Sequence, residues 1–403
     1  MKGSGSVVIV GAGHGGVQVA ASLREEGYAG RITLLSDDPH PPYQRPPLSK
    51  AYLKGSASAE TMILRGPSFY VDNNIELRLG ETAIHIDRAN HNVRLASNQQ
   101  LEYSHLVLAV GSLPRPVPFP GADLKGVLSL RCLEDASQIK AALDRARNVV
   151  VIGAGFIGLE FAATAAARAC QVHVVEAAPR VMGRAVSQPI SDFYAEAHRG
   201  FGVHLHLGAG VETIVGHQGR ATAVRLSDGQ ELDADLVVIG IGVVANDTLA
   251  ADAGLQVSNG IVVDRNLTTS DPYISAIGDC CCHPNEYAGT PLRLESVQNA
   301  TDQAKAVARK LTGKTGEYDA LPWFWSDQGD LKLQIAGVNR DCDSFVTRGD
   351  TGTRSFSVFG FSGGRLQVVE SVNRAADHMA ARRLISGGIP IAPRQAADLA
   401  TDL

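Results

Sequence analysis

A glycine pattern, G-x-G-x-x-G, occurs twice in this chain and most constrains what the chain can fold into. The two copies stand about one domain apart, at Gly11, Gly13 and Gly16 and at Gly153, Gly155 and Gly158. In each copy the first glycine permits a tight turn, the second lets the backbone approach a pyrophosphate, and the third allows a helix to pack closely on a strand. Each copy also follows a short apolar run and precedes a helical stretch, the context that gives the pattern its mechanism. The sequence predicts two Rossmann-like folds, each binding one dinucleotide at a helix N-terminus.

An acidic residue follows each pattern at about the 20-residue distance expected of a ribose ligand. The predicted strand Arg31–Leu35 is followed by Asp37 and Asp38, of which Asp37 is the better placed. The predicted strand Gln171–Val175 ends directly in Glu176. A carboxylate there repels the extra phosphate of NADP, so the second site is predicted to prefer NAD. The alternative that these acids merely begin turns stays open.

Composition narrows the class of protein. The 403 residues include 42 glycines, as repeated strand–turn–helix units require, and the net charge of -5 gives no basic footprint for nucleic acid. The longest relevant apolar run, Leu236–Ala245, contains two glycines and is too short to cross a bilayer. Met1–Ser6 leads into a strand without the apolar region of a signal peptide. We therefore expect a cytoplasmic enzyme with no membrane or nucleic-acid partner.

The six cysteines do not form a metal-binding pattern. No C-x-x-C motif occurs, and no separated cysteine pairs stand with histidines at zinc spacing. The run Cys280, Cys281 and Cys282 is unusual, and a reactive role for it stays open. We predict ordinary thiols and no bound metal, because free cysteine usually behaves as a small apolar residue.

The remaining segments indicate that the second nucleotide unit is inserted into the first. The apolar stretch Leu106–Val110 is predicted to close the first part, and a proline-rich linker follows. A predicted strand within Thr268–Cys280 and a helix over Glu295–Leu311 return to the first unit. Alternating stretches from about residue 318 onward predict antiparallel hairpins. The predicted α/β fold thus has two Rossmann-like domains and a C-terminal α+β domain. Its boundaries are 1–108 and 239–317 for the first domain, 109–238 for the second and 318–403 for the third.

Six stretches together carry a specific family resemblance. They are VVIVGAGHGG, PYQRPPLSKAYL, VVVIGAGFIGLE, SDPYISAIGDC, ESVQNA and PWFWSDQ, and they run from residue 7 to residue 328. The chain resembles the NADH-dependent ferredoxin reductases of bacterial oxygenase systems, the putidaredoxin reductase and biphenyl dioxygenase reductase type, within the glutathione-reductase-like flavoprotein fold. The resemblance implies FAD in the first unit, NADH in the second and a [2Fe-2S] ferredoxin as electron acceptor. That ferredoxin would supply a haem-thiolate monooxygenase or a ring-hydroxylating dioxygenase.

The resemblance also implies individual cofactor contacts at matching motif positions. For FAD these are Gly15, Asp37, Lys50, Ala83, Arg131, Asp279 and Val297. For NAD they are Gly155, Ile157, Glu160, Glu176 and Gly242. Hydride passes from NADH to the flavin in this family and single electrons pass on, so no protein nucleophile or general base is expected.

Three residues are assigned roles in the reaction by the same resemblance. Lys50 is expected to pair with Glu160 beside the flavin and nicotinamide, and Trp325 is expected to stack at the nicotinamide site. From the residues alone, the prolines before Lys50 predict a fixed extended backbone that aims the amine, and Glu160 is placed in the first helical turn. A solvated lysine, a carboxylate that complements the helix dipole and a packing tryptophan are the alternatives.

Two other readings of the fold stay open. A disulfide reductase or cysteine-dependent NADH oxidase needs a redox cysteine near the flavin, yet the first cysteine is Cys132. A redox-sensing flavoprotein of the apoptosis-inducing-factor type keeps both nucleotides but has another partner.

Docking of an acidic ferredoxin would use a local basic patch. The residues that the resemblance suggests for it are Arg65, Lys305, Arg309, Lys310 and Lys332.

Overall fold

A computed structural model describes residues 5–314 and 317–403, so the very start of the chain, where no signal peptide is expected, lies outside the described residues. In the described ranges the helices α1 to α10 span His14–Glu25, Ala51–Lys54, Pro67–Asp72, Leu133–Leu143, Phe156–Ala166, Gln188–Gly200, Thr248–Asp252, Val297–Leu311, Ala375–Ser386 and Pro393–Ala397. The strands β1 to β13 span Ser6–Val10, Arg31–Leu35, Ile75–Arg78, Ala83–Asp87, Asn92–Leu95, Gln100–Glu102, His105–Leu108, Ser112–Pro114, Val127–Ser129, Asn148–Ile152, Gln171–Glu176, Val203–Leu207 and Val211–His217. The strands β14 to β25 span Arg220–Leu226, Glu231–Asp233, Leu236–Ile239, Val243–Ala245, Ile261–Val262, Ile274–Ala276, Cys281–Cys282, Trp323–Gln328, Leu331–Gly337, Ser344–Asp350, Ser355–Ser362 and Arg365–Val372.

The chain divides into two compact units. The first unit comprises Met1–Gln44, Ala59–Leu113 and Val244–Pro322, and the second comprises Arg45–Ser58, Pro114–Val243 and Trp323–Leu403. The short stretch Arg45–Ser58 thus belongs with the second unit, although it lies within the predicted first domain. The predicted domain boundaries remain a prediction.

A parallel sheet forms the centre of the first unit. Its strand order is β19-β7-β1-β2-β3, and every pairing in it is parallel. The central strand β1 is apolar and buried from Val7 to Val10, as expected of a strand covered on both faces. Helices α1 and α8 pack against each other. The antiparallel strands β4, β5 and β6 form a separate small sheet in this unit.

The second unit contains a matching parallel sheet and the C-terminal sheet. The parallel sheet has the order β12-β11-β10-β16-β9, and the meander β13-β14-β15 contributes to the apolar cluster on one of its faces. The C-terminal sheet is antiparallel, with the order β21-β22-β25-β24-β23. Helix α9 packs on β22 and β25. The α/β fold with two Rossmann-like sheets and a C-terminal α+β domain is therefore confirmed.

Three elements begin or end elsewhere than predicted. Strand β7 ends at Leu108 rather than Val110, and Gly111 follows with a φ of 71° in the left-handed region. Helix α8 begins at Val297 rather than Glu295 because the Ser296 side chain accepts from the backbone N–H of Asn299 and caps the helix. In Thr268–Cys280 only Ile274–Ala276 is strand, and Gly278–Cys280 is a 3-10 helix. In the described part of the chain, no helix has the length and apolar character needed to span a membrane.

Candidate functional site

The first glycine turn joins β1 to α1 and has the geometry of a pyrophosphate cradle. Gly11 has a φ of 104°, which disfavours any residue with a side chain. A Cβ added at Gly16 would lie 1.9 Å from the carbonyl oxygen of Gly11, so only glycine allows this close packing. A Cβ added at Gly13 would meet no atom within 4 Å, so the space beside this peptide is open. Open space at a helix N-terminus fits a bound phosphate.

The second turn, between β10 and α5, repeats this geometry. Gly153 has a φ of 106°, and a Cβ at Gly158 would lie 2.2 Å from the Gly153 carbonyl oxygen. Gly155 again has open space where its Cβ would be. The neighbouring Ile157 is 47% exposed, unusual for a large apolar side chain and consistent with a surface that a nucleotide covers. Both turns therefore fit a dinucleotide.

The acidic residues after the two turns are held differently. Asp38 accepts from the backbone N–H of His40 and the hydroxyl of Tyr43, whereas Asp37 is exposed at the end of β2. Asp37 is thus the residue of the two that faces solvent, as a ribose ligand requires. Glu176 accepts at 2.8 Å from the backbone N–H groups of Ala154 and Ala178. Ala154 lies within the glycine turn, so these bonds fix the Glu176 carboxylate beside it while each oxygen retains acceptor capacity.

Asp279 is also held by contacts within the first unit. Its Oδ2 accepts from the Ser112 hydroxyl at 3.2 Å, and Gly278 before it has a φ of 73°. The Gln303 side chain on α8 accepts from the backbone N–H of Gly278 at 2.7 Å and so supports this turn. Sequence analysis missed Ser112 and Gln303, since neither stands in a motif.

The structure locates four further residues that were predicted to contact a cofactor, and their cofactor roles stay predictions. Ala83 is the first residue of β4, and Val297 is the first residue of α8. Gly15 is buried against Ile277 and Ala300, with an added Cβ 3.1 Å from Ile277 Cδ1, so its lack of a side chain serves helix packing. Gly242 has a φ of 97° just after β16.

Lys50 and Glu160 form a buried ion pair in the second unit. Lys50 Nζ lies 2.8 Å from Glu160 Oε2, and the side chains are 17% and 6% exposed. The predicted pairing is therefore present. Two details differ from the prediction. Pro46–Ser49 is a 3-10 helix rather than an extended segment, because prolines favour the first positions of a helix as well as extended chain. Glu160 lies beyond the first turn of α5, which begins at Phe156.

Two serine hydroxyls complete the surroundings of this carboxylate. Ser49 Oγ donates to Glu160 Oε2 at 2.6 Å, and Ser326 Oγ donates to Glu160 Oε1 at 2.7 Å. Because a buried carboxylate is costly without partners, three donors on Glu160 explain how its charge is accommodated. Because Glu160 lies beyond the first turn of α5, the helix dipole contributes little to stabilising its charge, since the effect of the dipole falls off after that turn.

Trp325 and Arg131 are also in the second unit. On strand β21 side chains alternate, so Trp325 lies on the opposite face from Ser326. Its ring is 5.7 Å from that of Trp323, whose ring lies 4.9 Å from the guanidinium carbon of Arg382. The backbone N–H of Arg131 donates to Asp135 at 2.8 Å. The predicted contacts of Trp325 with nicotinamide and of Lys50 and Arg131 with FAD remain predictions.

All six cysteines are free, and the three consecutive ones are buried. Burial raises the pKa of Cys280 to about 11, and it also raises the pKa values of the Cys281 and Cys282 thiols. Since the thiolate is the reactive form, these residues are poorly suited to thiol–disulfide exchange. Within residues 5–314 and 317–403 no cluster of three or more His, Cys, Asp or Glu side chains is arranged to hold a metal.

Two glycine turns of this geometry define a protein with two dinucleotide-binding folds. Comparison with known proteins agrees. Residues 5–304 match the pyridine nucleotide-disulphide oxidoreductase family, and residues 323–403 match the reductase C-terminal domain. The chain is 48% identical over 398 residues to rhodocoxin reductase of Rhodococcus erythropolis, covering 99% of this chain and 93% of that protein.

Solved structures give the same result. The ferredoxin reductase for the CYP199A2 system of Rhodopseudomonas palustris has a TM-score of 0.97 and 50% identity, with 98% of each chain covered. The covalent putidaredoxin reductase–putidaredoxin complex has a TM-score of 0.95 and 41% identity, covering 98% of this chain and 96% of that one. The chain belongs to the pyridine nucleotide-disulphide oxidoreductase family, among its ferredoxin reductases. It is an oxidoreductase that uses FAD and NAD(P)H.

Proposed function

We propose that this enzyme transfers electrons from NADH, by way of FAD, to a [2Fe-2S] ferredoxin that supplies a monooxygenase or dioxygenase. Bound FAD supplies the conversion between hydride transfer and single-electron transfer that links NADH to an iron–sulfur carrier. The ferredoxin acceptor agrees with the names of the similar proteins, one of which was solved in covalent complex with putidaredoxin. We further propose the cytoplasm as its location, because six unpaired cysteines suit a reducing compartment.

The state of the cysteines is the observation that carries this proposal. A disulfide reductase stores electrons on a reactive cysteine pair close to its flavin. Here the first cysteine in sequence is Cys132, and the run Cys280–Cys282 is buried with raised pKa values. Electrons therefore need an acceptor outside the chain, which favours a protein carrier over thiol chemistry.

The residues of the two turns bind and orient the cofactors. We assign Gly11, Gly13 and the N-terminus of α1 to the FAD pyrophosphate and Asp37 to its ribose. The second turn does the same for NADH. There the Glu176 carboxylate, fixed by two backbone N–H groups, accepts from ribose hydroxyls and repels a 2′-phosphate.

The burial of Lys310 leads us to propose a narrower basic patch for ferredoxin than the sequence suggested. Lys305 and Arg309 are exposed on α8, and Arg65 is exposed before α3. Lys310 is half-buried and donates to Thr268 Oγ1 at 2.5 Å, so it is a poor docking residue. Lys332, in the second unit, is exposed, and its docking role and that of Arg65 remain predictions. We propose that Lys305 and Arg309 attract the ferredoxin.

Steady-state reduction of cytochrome c by NADH, with and without a panel of [2Fe-2S] ferredoxins, tests the proposal. We expect the rate to require one ferredoxin and to survive replacement of the buried cysteines. Arg309→Glu should raise the KM for that ferredoxin at low salt, and the exposed Arg365→Glu, in the second unit, should leave it unchanged. A full rate without any ferredoxin would favour the redox-sensing class, and loss of activity on replacing Cys280 would favour the disulfide-reductase class.

A further inference from the structure

A buried row of polar side chains leads away from the Glu160 carboxylate. Ser326 Oγ, which donates to Glu160 Oε1, lies 3.2 Å from Gln328 Nε2. Gln328 Oε1 lies 2.8 Å from His198 Nε2. Ser326, Gln328 and His198 are each fully buried. We call these three residues the relay.

The carboxylate end fixes the direction of every hydrogen bond in the relay. An ionised carboxylate only accepts, so the Ser326 hydroxyl must donate to it and must itself accept from the Gln328 amide nitrogen. The Gln328 carbonyl oxygen then faces His198, which must carry its proton on Nε2. Burial lowers the pKa of His198, in agreement with a neutral ring. All three bonds therefore point their donors toward Glu160.

Aligned hydrogen bonds in a low-dielectric interior polarise one another. The Ser326 hydroxyl is a stronger donor because Gln328 donates to its oxygen, and Gln328 is in turn polarised by His198. Oε1 of Glu160 is thereby held on β21, while Oε2 remains with Lys50 and Ser49. Because the two oxygens are held by different elements, rotation of the carboxylate is prevented.

We propose that Ser326 and Gln328 are positioning residues that orient the Glu160 carboxylate and, through it, the Lys50 ammonium. Neither Ser326 nor Gln328 needs to touch a cofactor. This inference rests on the proposed function, because the reaction with NADH is the one in which the Lys50–Glu160 pair would take part. The family resemblance expects that pair to lie beside the flavin and nicotinamide. The positioning role explains why two polar residues occupy fully buried positions on strand β21.

A coupling experiment on stability tests the contact itself without reference to activity. The thermal midpoint is measured for the holoenzyme with Ser326→Ala, Glu160→Gln and both changes. The double variant should lose less than the sum of the two single losses, because Glu160→Gln removes the charge that strengthens the bond and Ser326→Ala removes the same bond entirely. Ser357→Ala provides the matched control, since Ser357 also donates from a buried hydroxyl to a buried carboxylate, that of Asp377, at 2.9 Å. The fall in thermal midpoint caused by Ser357→Ala should add to the fall caused by Glu160→Gln.

A kinetic experiment tests the positioning role. Ser326→Ala should slow anaerobic reduction of the bound flavin by saturating NADH by about 10-fold, as expected for losing a hydrogen bond to a charged group. The Kd for NAD+, measured by calorimetry, should change less than about twofold because uniform binding is untouched. Ser326→Thr should restore most of the rate, and Ser357→Ala should leave it unchanged.

Combining Ser326→Ala with Gln328→Leu distinguishes a relay from two separate contacts. The double variant should be about as slow as Ser326→Ala alone, since Gln328 acts through Ser326. The inference would be overturned if the rate effects of Ser326→Ala and Gln328→Leu multiplied, or if Ser357→Ala slowed flavin reduction as much as Ser326→Ala. It would also be overturned if the losses of thermal stability from Ser326→Ala and Glu160→Gln were additive. Failure of the proposed function is a separate result, because it would show as wild-type protein that does not reduce ferredoxin while the stability coupling persists.

Discussion

The carboxylate of Glu176, which we propose selects NADH over NADPH, is held in a fixed position. Both of its oxygens accept from backbone N–H groups, one within the glycine turn and one two residues after Glu176, so the carboxylate is fixed before any nucleotide binds. A fixed negative charge discriminates against a 2′-phosphate more sharply than a mobile one, since it cannot move away.

Replacing Glu176 by Gln should therefore reduce the preference for NADH. We expect the ratio of kcat/KM for NADH to that for NADPH to fall by about 10-fold, the effect of removing one close charge pair. Parallel initial-rate measurements with both nucleotides check this, and Glu231→Gln, an exposed carboxylate of the same unit, is the control. An unchanged ratio would remove the role of Glu176.

At this scale the sequence predicted the Lys50–Glu160 pair but not the residues that support it. All four residues stand in quoted motifs, yet the contacts of Glu160 with Ser49 and Ser326 join residues 111 and 166 positions apart. Nothing local in the sequence marks such a contact. The inward position of Ser326 on β21 could have been inferred from the period-two alternation, but its partner could not.

At the scale of elements, the two strand–turn–helix units were predictable because their constraints are local. Gly11 and Gly153 need a positive φ, and Gly16 and Gly158 need the absence of a Cβ. By contrast, the start of α8 depends on a single cap at Ser296, and the 3-10 helix at Pro46–Ser49 begins with prolines, which favour helix starts and extended chain alike and so do not decide between them.

The third glycines allow the two nucleotide sites to be disabled separately. Gly16→Ala places a methyl group against the Gly11 carbonyl and should cause loss of FAD, seen as colourless protein. Gly158→Ala does the same at Gly153 and should retain FAD but weaken NAD+ binding at least about 10-fold. Absorbance and calorimetry measure these outcomes.

Gly200→Ala is a suitable control for both substitutions, because its added Cβ would meet only a guanidinium nitrogen of Arg354, at 4.0 Å. It should keep both cofactors. Loss of FAD in Gly158→Ala and retention of FAD in Gly16→Ala would reverse the assignment of the two sites.

At the scale of the whole molecule, stability should depend on pH through a buried carboxyl of the C-terminal sheet. Burial raises the pKa of Glu370 to about 7, while the backbone N–H and hydroxyl of Ser187 and the charge of Arg180 oppose the shift. The folded state thus binds a proton that the unfolded state releases at lower pH. This contribution to stability is complete below the unfolded value of 4.5 and is lost as pH rises through about 7.

Glu370→Gln should remove that dependence. Its thermal midpoint relative to wild type should rise between about pH 5 and pH 8, by the equivalent of up to about 3 kcal/mol. The pKa values of His173, His283 and His378 are lowered to about 4 by burial, so these residues act in the opposite direction below pH 6.5 in both proteins and cancel in the difference. A difference in thermal midpoint that stays constant across this range would contradict the role of Glu370.

We propose above all that electrons from NADH leave the enzyme one at a time for a ferredoxin. The most direct test mixes the protein, reduced anaerobically with one equivalent of NADH, with excess oxidised [2Fe-2S] ferredoxin and follows both chromophores by stopped-flow absorbance. We expect reoxidation of the flavin with about two ferredoxins reduced per NADH. A flavin that stays reduced with every ferredoxin tried, or that is reoxidised only by a disulfide or by oxygen, would contradict it.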